Sequence, residues 1–158
     1  MLKSTRRIIL AGTLAAGAVM ANPAYAVAAA GTPESVCGAG FARVADSSRP
    51  VKTAAGRTFG RVYLLYNRKT GFNCVTTIKT SFVGTSTYVS ARLETQTRRI
   101  KDEPARTSTK QDAKNYKYYA GPVKLYAKGY CVKYWGIIKA IGHDQTASGG
   151  RNTWGNCG

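Results

Sequence analysis

His143 is the only histidine in the chain, and Asp144 follows it directly. Any Ser–His–acid hydrolase here has to be built on that pair, with Ser148 or Ser90 as nucleophile. No G-x-S-x-G elbow is present to expose either serine on a strand-to-helix turn. His143 also lies in a stretch rich in Gly and Thr, where a solvent-facing spectator is the simpler expectation than a catalytic base. A phosphodiester-cleaving site needs a base, an acid and a cation against the developing charge. Glu94, His143 and Arg92 offer those types, but no spacing gathers them. The remaining carboxylates, Glu34, Asp46, Asp102, Glu103, Asp112 and Asp144, fall in loops or beside cations, so no acid pair for glycoside hydrolysis stands out. A Walker loop and a dinucleotide fingerprint are both absent. No two cysteines sit at metal-ligand spacing, and the residues point to no catalytic group, metal or cofactor.

Charge and aromatic rings form the more informative pattern. The 158 residues carry 24 Lys and Arg against 7 Asp and Glu, a formal charge of +17. Such an excess says little about fold, but it favours polyanionic partners. Strand parity places Val62, Leu64 and Tyr66 inward and Arg61 and Tyr63 outward. It likewise turns Tyr88 and Arg92 out over Val89, Ala91 and Leu93, and Lys124, Tyr126 and Lys128 out over Val123, Leu125 and Ala127. With Arg98, Arg99 and Lys101 these form a candidate polyanion-binding set, in which cations meet phosphate or sulfate and tyrosines stack on rings. Lys and Tyr also suit exposed strand positions for purely structural reasons, Lys by blunting edge pairing.

These residues have to be positioned by strands. Phe59–Tyr66 is rich in aromatic and branched residues, Asn67–Gly71 is a turn, and Phe72–Thr80 returns as the second arm of a hairpin. Thr87–Glu94 alternates strictly. Tyr119–Lys139 reads as a second hairpin, folded at Lys128-Gly129 with Cys131 just past the turn. The two units share a pattern: Gly60-x-Val62-x-Leu64, Gly71, Cys74-Val75, then Gly121-x-Val123-x-Leu125, Gly129, Cys131-Val132. A first strand is expected at Phe41–Ala45, and loops at Ser47–Gly56, at Gly142–Gly150 and, highly basic, at about 96–114. Several short strands separated by Gly-bearing turns imply an all-β fold, a small antiparallel sandwich or barrel-like domain spanning 36–158.

The first residues read as an export signal. Lys3, Arg6 and Arg7 precede an apolar run from Ile8 to Ala21, and Ala24-Tyr25-Ala26 marks a cleavage site. Cleavage is expected after Ala26, with Ala30 as the alternative, leaving 27–35 as a flexible mature N-terminus. Thr5-Arg6-Arg7-Ile8 also fits a twin-arginine signal. At this length the apolar run is not a transmembrane segment. Removing residues 1–26 takes away three cations, so the charge becomes 17 − 3 = +14. Cys37, Cys74, Cys131 and Cys157 all remain, and outside the cell an even count implies disulfides. Four cysteines allow three connectivities. The expected one, Cys37–Cys74 with Cys131–Cys157, ties each chain end to its nearest hairpin.

Val36-Cys37-Gly38-x-Gly40-Phe41, Gly60-Arg61-Val62-Tyr63-Leu64-Leu65-Tyr66-Asn67 and Gly71-Phe72-Asn73-Cys74-Val75 resemble the spore-associated protein A family of filamentous actinobacteria. So do Tyr119-Ala120-Gly121-Pro122-Val123-x-Leu125-Tyr126-Ala127, Gly129-Tyr130-Cys131-Val132, Trp135-Gly136 and Asn156-Cys157-Gly158. The resemblance implies a small secreted protein of spores or aerial structures, without established catalytic residues. Taken together, the expectation is a secreted, non-enzymatic spore- or cell-surface protein held to anionic wall polymers, with no specific nucleic-acid partner. The alternative is a small basic secreted nuclease or toxin-like hydrolase. An inhibitor of another secreted enzyme, acting through the 96–114 loop, is a third class without a recognisable reactive loop.

Overall fold

The computed structural model describes residues 31–98 and 103–158. A short helix α1 (Pro33–Cys37) leads into eight strands: β1 (Ala42–Lys52), β2 (Thr58–Asn67), β3 (Phe72–Lys79), β4 (Thr87–Gln96), β5 (Thr107–Tyr116), β6 (Tyr119–Tyr126), β7 (Cys131–Lys139) and β8 (Thr146–Gly155). A single 3-10 turn, Ile141–His143, separates β7 from β8. The strands form one sheet in the order β5-β4-β7-β8-β1-β2-β3-β6, and every pairing is antiparallel. The fold is therefore all-β, as the strand pattern implied, and the sheet curls into a nearly closed barrel.

Alternation fills the interior. Val62, Leu64, Val75, Val89, Ala91, Leu93, Val123, Val132, Tyr134 and Ile138 are all buried in one cluster, which is how a small barrel becomes a packed core rather than a channel. Gly136 sits where a side chain has no room: a Cβ there would lie 3.0 Å from Val62 Cβ and 2.5 Å from Thr77 Oγ1. A second, smaller cluster lies outside the barrel, where α1 covers β2 and β3 through Cys37, Leu65 and Cys74. The disulfides are Cys37–Cys74 and Cys131–Cys157, the expected pairing.

At the seam between β5 and β6 a carboxylate replaces ladder bonds. Asp112 Oδ2 accepts from the Gly121 N–H at 2.7 Å, and Oδ1 accepts from the Tyr116 hydroxyl at 2.6 Å. That strong bond pushes the Tyr116 phenol up to about 12. Nearby Lys79 is 1% exposed. Its Nζ donates to Thr85 O (2.7 Å), Thr87 Oγ1 (2.8 Å) and Tyr116 O (3.2 Å), joining β3, β4 and β5. Burial lowers its pKa to about 8, while the three oxygens favour the ammonium form.

Four expectations fail for identifiable reasons. Tyr119–Lys139 is not a hairpin: β6 pairs with β3, and β7 lies between β4 and β8. The corner at Lys128-Gly129 instead carries the chain from β6, at one end of the strand order, to β7, third from the other end. The Ser47–Gly56 loop is largely strand, because β1 continues through Pro50 to Lys52 after a register shift. The Gly142–Gly150 loop ends at Thr146, where β8 begins. Its glycines are needed for close approach, since a Cβ on Gly149 would lie 2.9 Å from the Pro50 carbonyl carbon. The basic loop over 96–114 is shorter than expected, because Thr107–Tyr116 pairs residue for residue with β4. β5 lacks the apolar alternation of a strand because both its faces are largely exposed. Its partner's backbone, not its own burial, makes it a strand.

Candidate polyanion-binding surface

Because the barrel's inside is filled, outward residues distribute over its two sides. On the first, β1, β2, β3 and β6 lie in register: Arg43 is opposite Leu65, Leu65 opposite Cys74, and Cys74 opposite Lys124. Arg61 and Tyr63 occupy the next outward positions along β2, and Tyr126 the next along β6. Arg43 lies 5.2 Å from the Tyr63 ring centre, and Lys124 Nζ lies 4.9 Å from that of Phe41. Arg61 is held by Ser48, its Nε donating to Oγ at 2.7 Å. At the end of this side, Tyr126 stands edge-to-face between Phe72 (5.7 Å) and Tyr130 (6.0 Å). Exposed Lys128 lies on the adjoining turn.

The second side is made by β4, β7 and β8 and carries Tyr88 and Arg92. Three strands, β7, β8 and β1, separate β4 from β2 along the ladder. The ten candidate residues therefore do not share one face. Arg61, Tyr63, Lys124 and Tyr126 share the first side, with Arg61 six residues along β2 from the level of Tyr126, and Tyr88 and Arg92 lie apart from them. Arg92 is also ion-paired with Glu94 at 2.8 Å. Arg98 is exposed and donates to the carbonyls of Cys157 (3.1 Å) and Gly158 (2.9 Å) at the C-terminus. Arg99 and Lys101 lie outside the described residues.

Several residues of this second surface escaped the sequence reading. Lys139 Nζ lies 5.2 Å from the Tyr88 ring centre and Lys133 Nζ 4.3 Å from Trp154. Trp135, opposite Arg92, lines a shallow cleft of about 250 Å³ with Ser90, Glu94, Gln111, Ile137 and Asn152. The signal for them was the alternation Cys131-x-Lys133-x-Trp135-x-Ile137-x-Lys139, the same device that gave Lys124 and Tyr126. On both sides the cations lie over rings more than beside carboxylates. Only three ion pairs occur among the described residues: Arg43–Glu34, Arg49–Asp46 and Arg92–Glu94. The Arg43 pair is the best formed at 2.7 Å, and its hydrogen bond holds Glu34 below the usual carboxylate range.

The hydrolase constellation is not assembled. Glu94 is opposite Lys133, six residues before β7 ends at Lys139 and turns toward His143. At strand rise that is about 20 Å of separation. His143 is exposed at φ 64°, and among the described residues no side-chain hydrogen bond reaches it.

One relative decides the family. Spore-associated protein A of Streptomyces coelicolor is 38% identical over 130 residues, covering 80% of this chain and 74% of the relative. The chain belongs to the spore-associated protein A family. No family model and no solved structure matches it. Among the described residues of this family member, no helix is long and apolar enough to cross a membrane.

Proposed function

We propose that the protein is an exported, non-enzymatic component of the spore or cell surface, retained there by attraction to anionic wall polymers. The observation that carries the reading is the charge: 24 cations against 7 carboxylates over the full chain. Cations stand on both sides of the barrel, and Arg57, Lys124, Lys133 and Lys139 lie over aromatic rings without an ion pair among the described residues. A charge so distributed attracts a flexible polyanion without a shaped pocket, and salt screens it. The relative's name supplies the setting, spore association, and no enzymatic activity.

The test is retention of purified protein on isolated cell wall across a salt series. Binding should fall steeply as salt rises, and substituting Lys124 and Lys128 by Gln should weaken it about as much as substituting Lys133 and Lys139. Salt-independent retention, or none at low salt, overturns the reading. Export is checked separately: protein recovered outside the cell should begin at Val27 or Gly31. Protein that keeps Met1 and stays in the cytoplasm would contradict it.

A further inference from the structure

Two arginines, Arg49 and Arg151, neighbour Tyr134 at an irregular seam between β1 and β8, apart from both outward surfaces. The two strands share one ladder pair, Lys52 with Ser148. Continued three residues along each antiparallel strand, that register sets Arg49 against Arg151. Both strands are bulged there. On β1 the pairing with β2 jumps from Arg43↔Leu65 to Ser48↔Tyr63, so 44–47 stand opposite one residue. On β8 the pairing with β7 jumps from Tyr134↔Arg151 to Val132↔Gly155, so 152–154 stand opposite one residue as well. Bulges re-aim side chains and are frequent beside functional sites.

Just beside each bulge, strand parity turns the arginine toward the interior side, two residues from buried Val51 and Gly149 respectively. Tyr134 rises between them from β7. Its hydroxyl donates to Asp46 O at 3.0 Å, and Arg151 Cζ lies 5.6 Å from its ring centre. Asp46 itself has φ 60°, a left-handed backbone that bulge geometry imposes, and its carboxylate pairs with Arg49. The seam thus holds two guanidinium groups and a single carboxylate. Arg151 has only the Val132 carbonyl, at 3.3 Å. The Nε atoms of both Arg49 and Arg151 are buried and meet no acceptor in hydrogen-bond geometry, although the Tyr134 hydroxyl lies beside the Arg49 guanidinium. Buried N–H donors without partners are costly, and they are rare unless something else satisfies them.

We propose that Arg49 and Arg151 form a binding site for a phosphate-type oxyanion, with Tyr134 as its floor. Such an anion offers three or four acceptor oxygens and more negative charge to the two forked guanidinium groups at once, where the Asp46 carboxylate offers two oxygens and pairs with Arg49 alone. The Asp46 side chain is 49% exposed and competes for Arg49, so it turns to solvent as the anion enters. This site differs in kind from diffuse retention on a polymer: it is stoichiometric and needs guanidinium geometry rather than charge alone.

Calorimetric titration of the intact protein with inorganic phosphate, at constant ionic strength with chloride as the comparison, tests it. Saturable one-to-one binding is expected for phosphate and not for chloride. Arg151→Gln should weaken binding at least ~10-fold, and Arg151→Lys, which keeps the charge but loses the fork, by several-fold. Asp46→Asn should strengthen it several-fold, since Asn tolerates the same backbone and no longer competes. Lys110→Gln, on exposed β5, should change nothing and controls for bulk charge. A parallel titration with a glycerol-phosphate polymer separates a free phosphate from a phosphodiester chain as the source. Tighter binding per phosphate by the polymer points to the chain, and the reverse to the free ion. Phosphate binding no better than chloride, or unchanged in a folded Arg151→Lys variant, overturns the site. Wall retention can fail with this site intact, and the site can fail with wall retention intact.

Discussion

The stretches Thr58–Lys79 and Tyr119–Lys139 are written alike and fold differently. In the first, β2 and β3 pair along their whole length, Gly60 with Lys79 through Asn67 with Phe72. In the second, β6 and β7 share no ladder, and their strands go to different neighbours. The resemblance has a structural meaning all the same. The two Gly-x-Val-x-Leu strands, β2 and β6, flank the same strand: Leu64 and Val123 both face Val75 across β3. A repeated strand pattern records a shared neighbour and a shared core layer, and it leaves open where the chain goes after the turn. The partner of β7 was chosen elsewhere, by the apolar alternation of β4 and by the C-terminal strand.

The disulfides should expose this difference most strongly. Cys37–Cys74 and Cys131–Cys157 close loops of similar length, with separations of 37 and 26. Loop entropy alone makes them nearly equal, at about 3 kcal/mol each. Their surroundings are unequal, however. Cys37 and Cys74 are fully buried with Leu65 beneath α1, whereas Cys157 is exposed. Replacing Cys37 and Cys74 by Ala should cost about 4–5 kcal/mol, because a cavity is added to the lost cross-link. Replacing Cys131 and Cys157 by Ala should cost about 2–3 kcal/mol. Denaturant unfolding measures both, and equal losses would mean that the split β6–β7 unit relies on its bridge as much as the true hairpin does.

The same contrast explains what could be read from the chain. Wherever one face of a strand is buried, as at Val89, Ala91 and Leu93 in β4, alternation revealed the strand and its outward residues. β5 and β8 had no such signal, one because it is polar on both faces, the other because its glycines serve backbone approach. The outward direction of Lys124 and Tyr126 was legible for the same reason as β4. Their distance from Tyr88 and Arg92 was not, since strand order arises from long-range pairing that parity does not encode. Arg49 and Arg151 lay in or beside segments read as loops. Their meeting depends on the pairing of β1 with β8, a long-range contact that leaves no local pattern.

Alkaline titration separates the anchors of the two regions. The hairpin's far end is tied down by buried Lys79, whose pKa is lowered to about 8 by burial. Between pH 8 and the ordinary lysine value of about 10.4, the unfolded chain therefore binds more protons, and stability rises with pH. The rise should be on the order of 1–2 kcal/mol, limited by the three oxygens that hold the ammonium. The β6 seam behaves oppositely. Asp112 pushes Tyr116 up to about 12, so the folded state keeps a proton that the unfolded state releases near 10, and stability falls between those values. Lys79→Met should abolish the rise, and Asp112→Asn should bring Tyr116 back toward an ordinary phenol, read from phenolate absorbance. A profile that falls throughout would show that the oxygens around Lys79 outweigh its burial.

The smallest contrast is at the two turns. Gly71 and Gly129 have nearly the same backbone, at φ 74° and 76°. Each Gly→Ala change should therefore cost about 1 kcal/mol from left-handed strain alone. Their surroundings separate them. A Cβ on Gly71 would lie 2.8 Å from a Tyr126 ring carbon and 3.0 Å from Lys128 Cβ, whereas one on Gly129 would find nothing closer than the Gly158 carbonyl at 3.9 Å. The hairpin turn is packed beneath the end of β6, and the β6–β7 corner is open. Gly71→Ala should thus cost about 1 kcal/mol more than Gly129→Ala, because Tyr126 has to move. That movement also breaks the Tyr126 contacts with Phe72 and Tyr130, so a loss of aromatic circular dichroism should accompany Gly71→Ala. Equal stabilities and unchanged spectra in the two variants would mean that Tyr126 yields freely, and that the ring cluster is looser than its edge-to-face geometry implies.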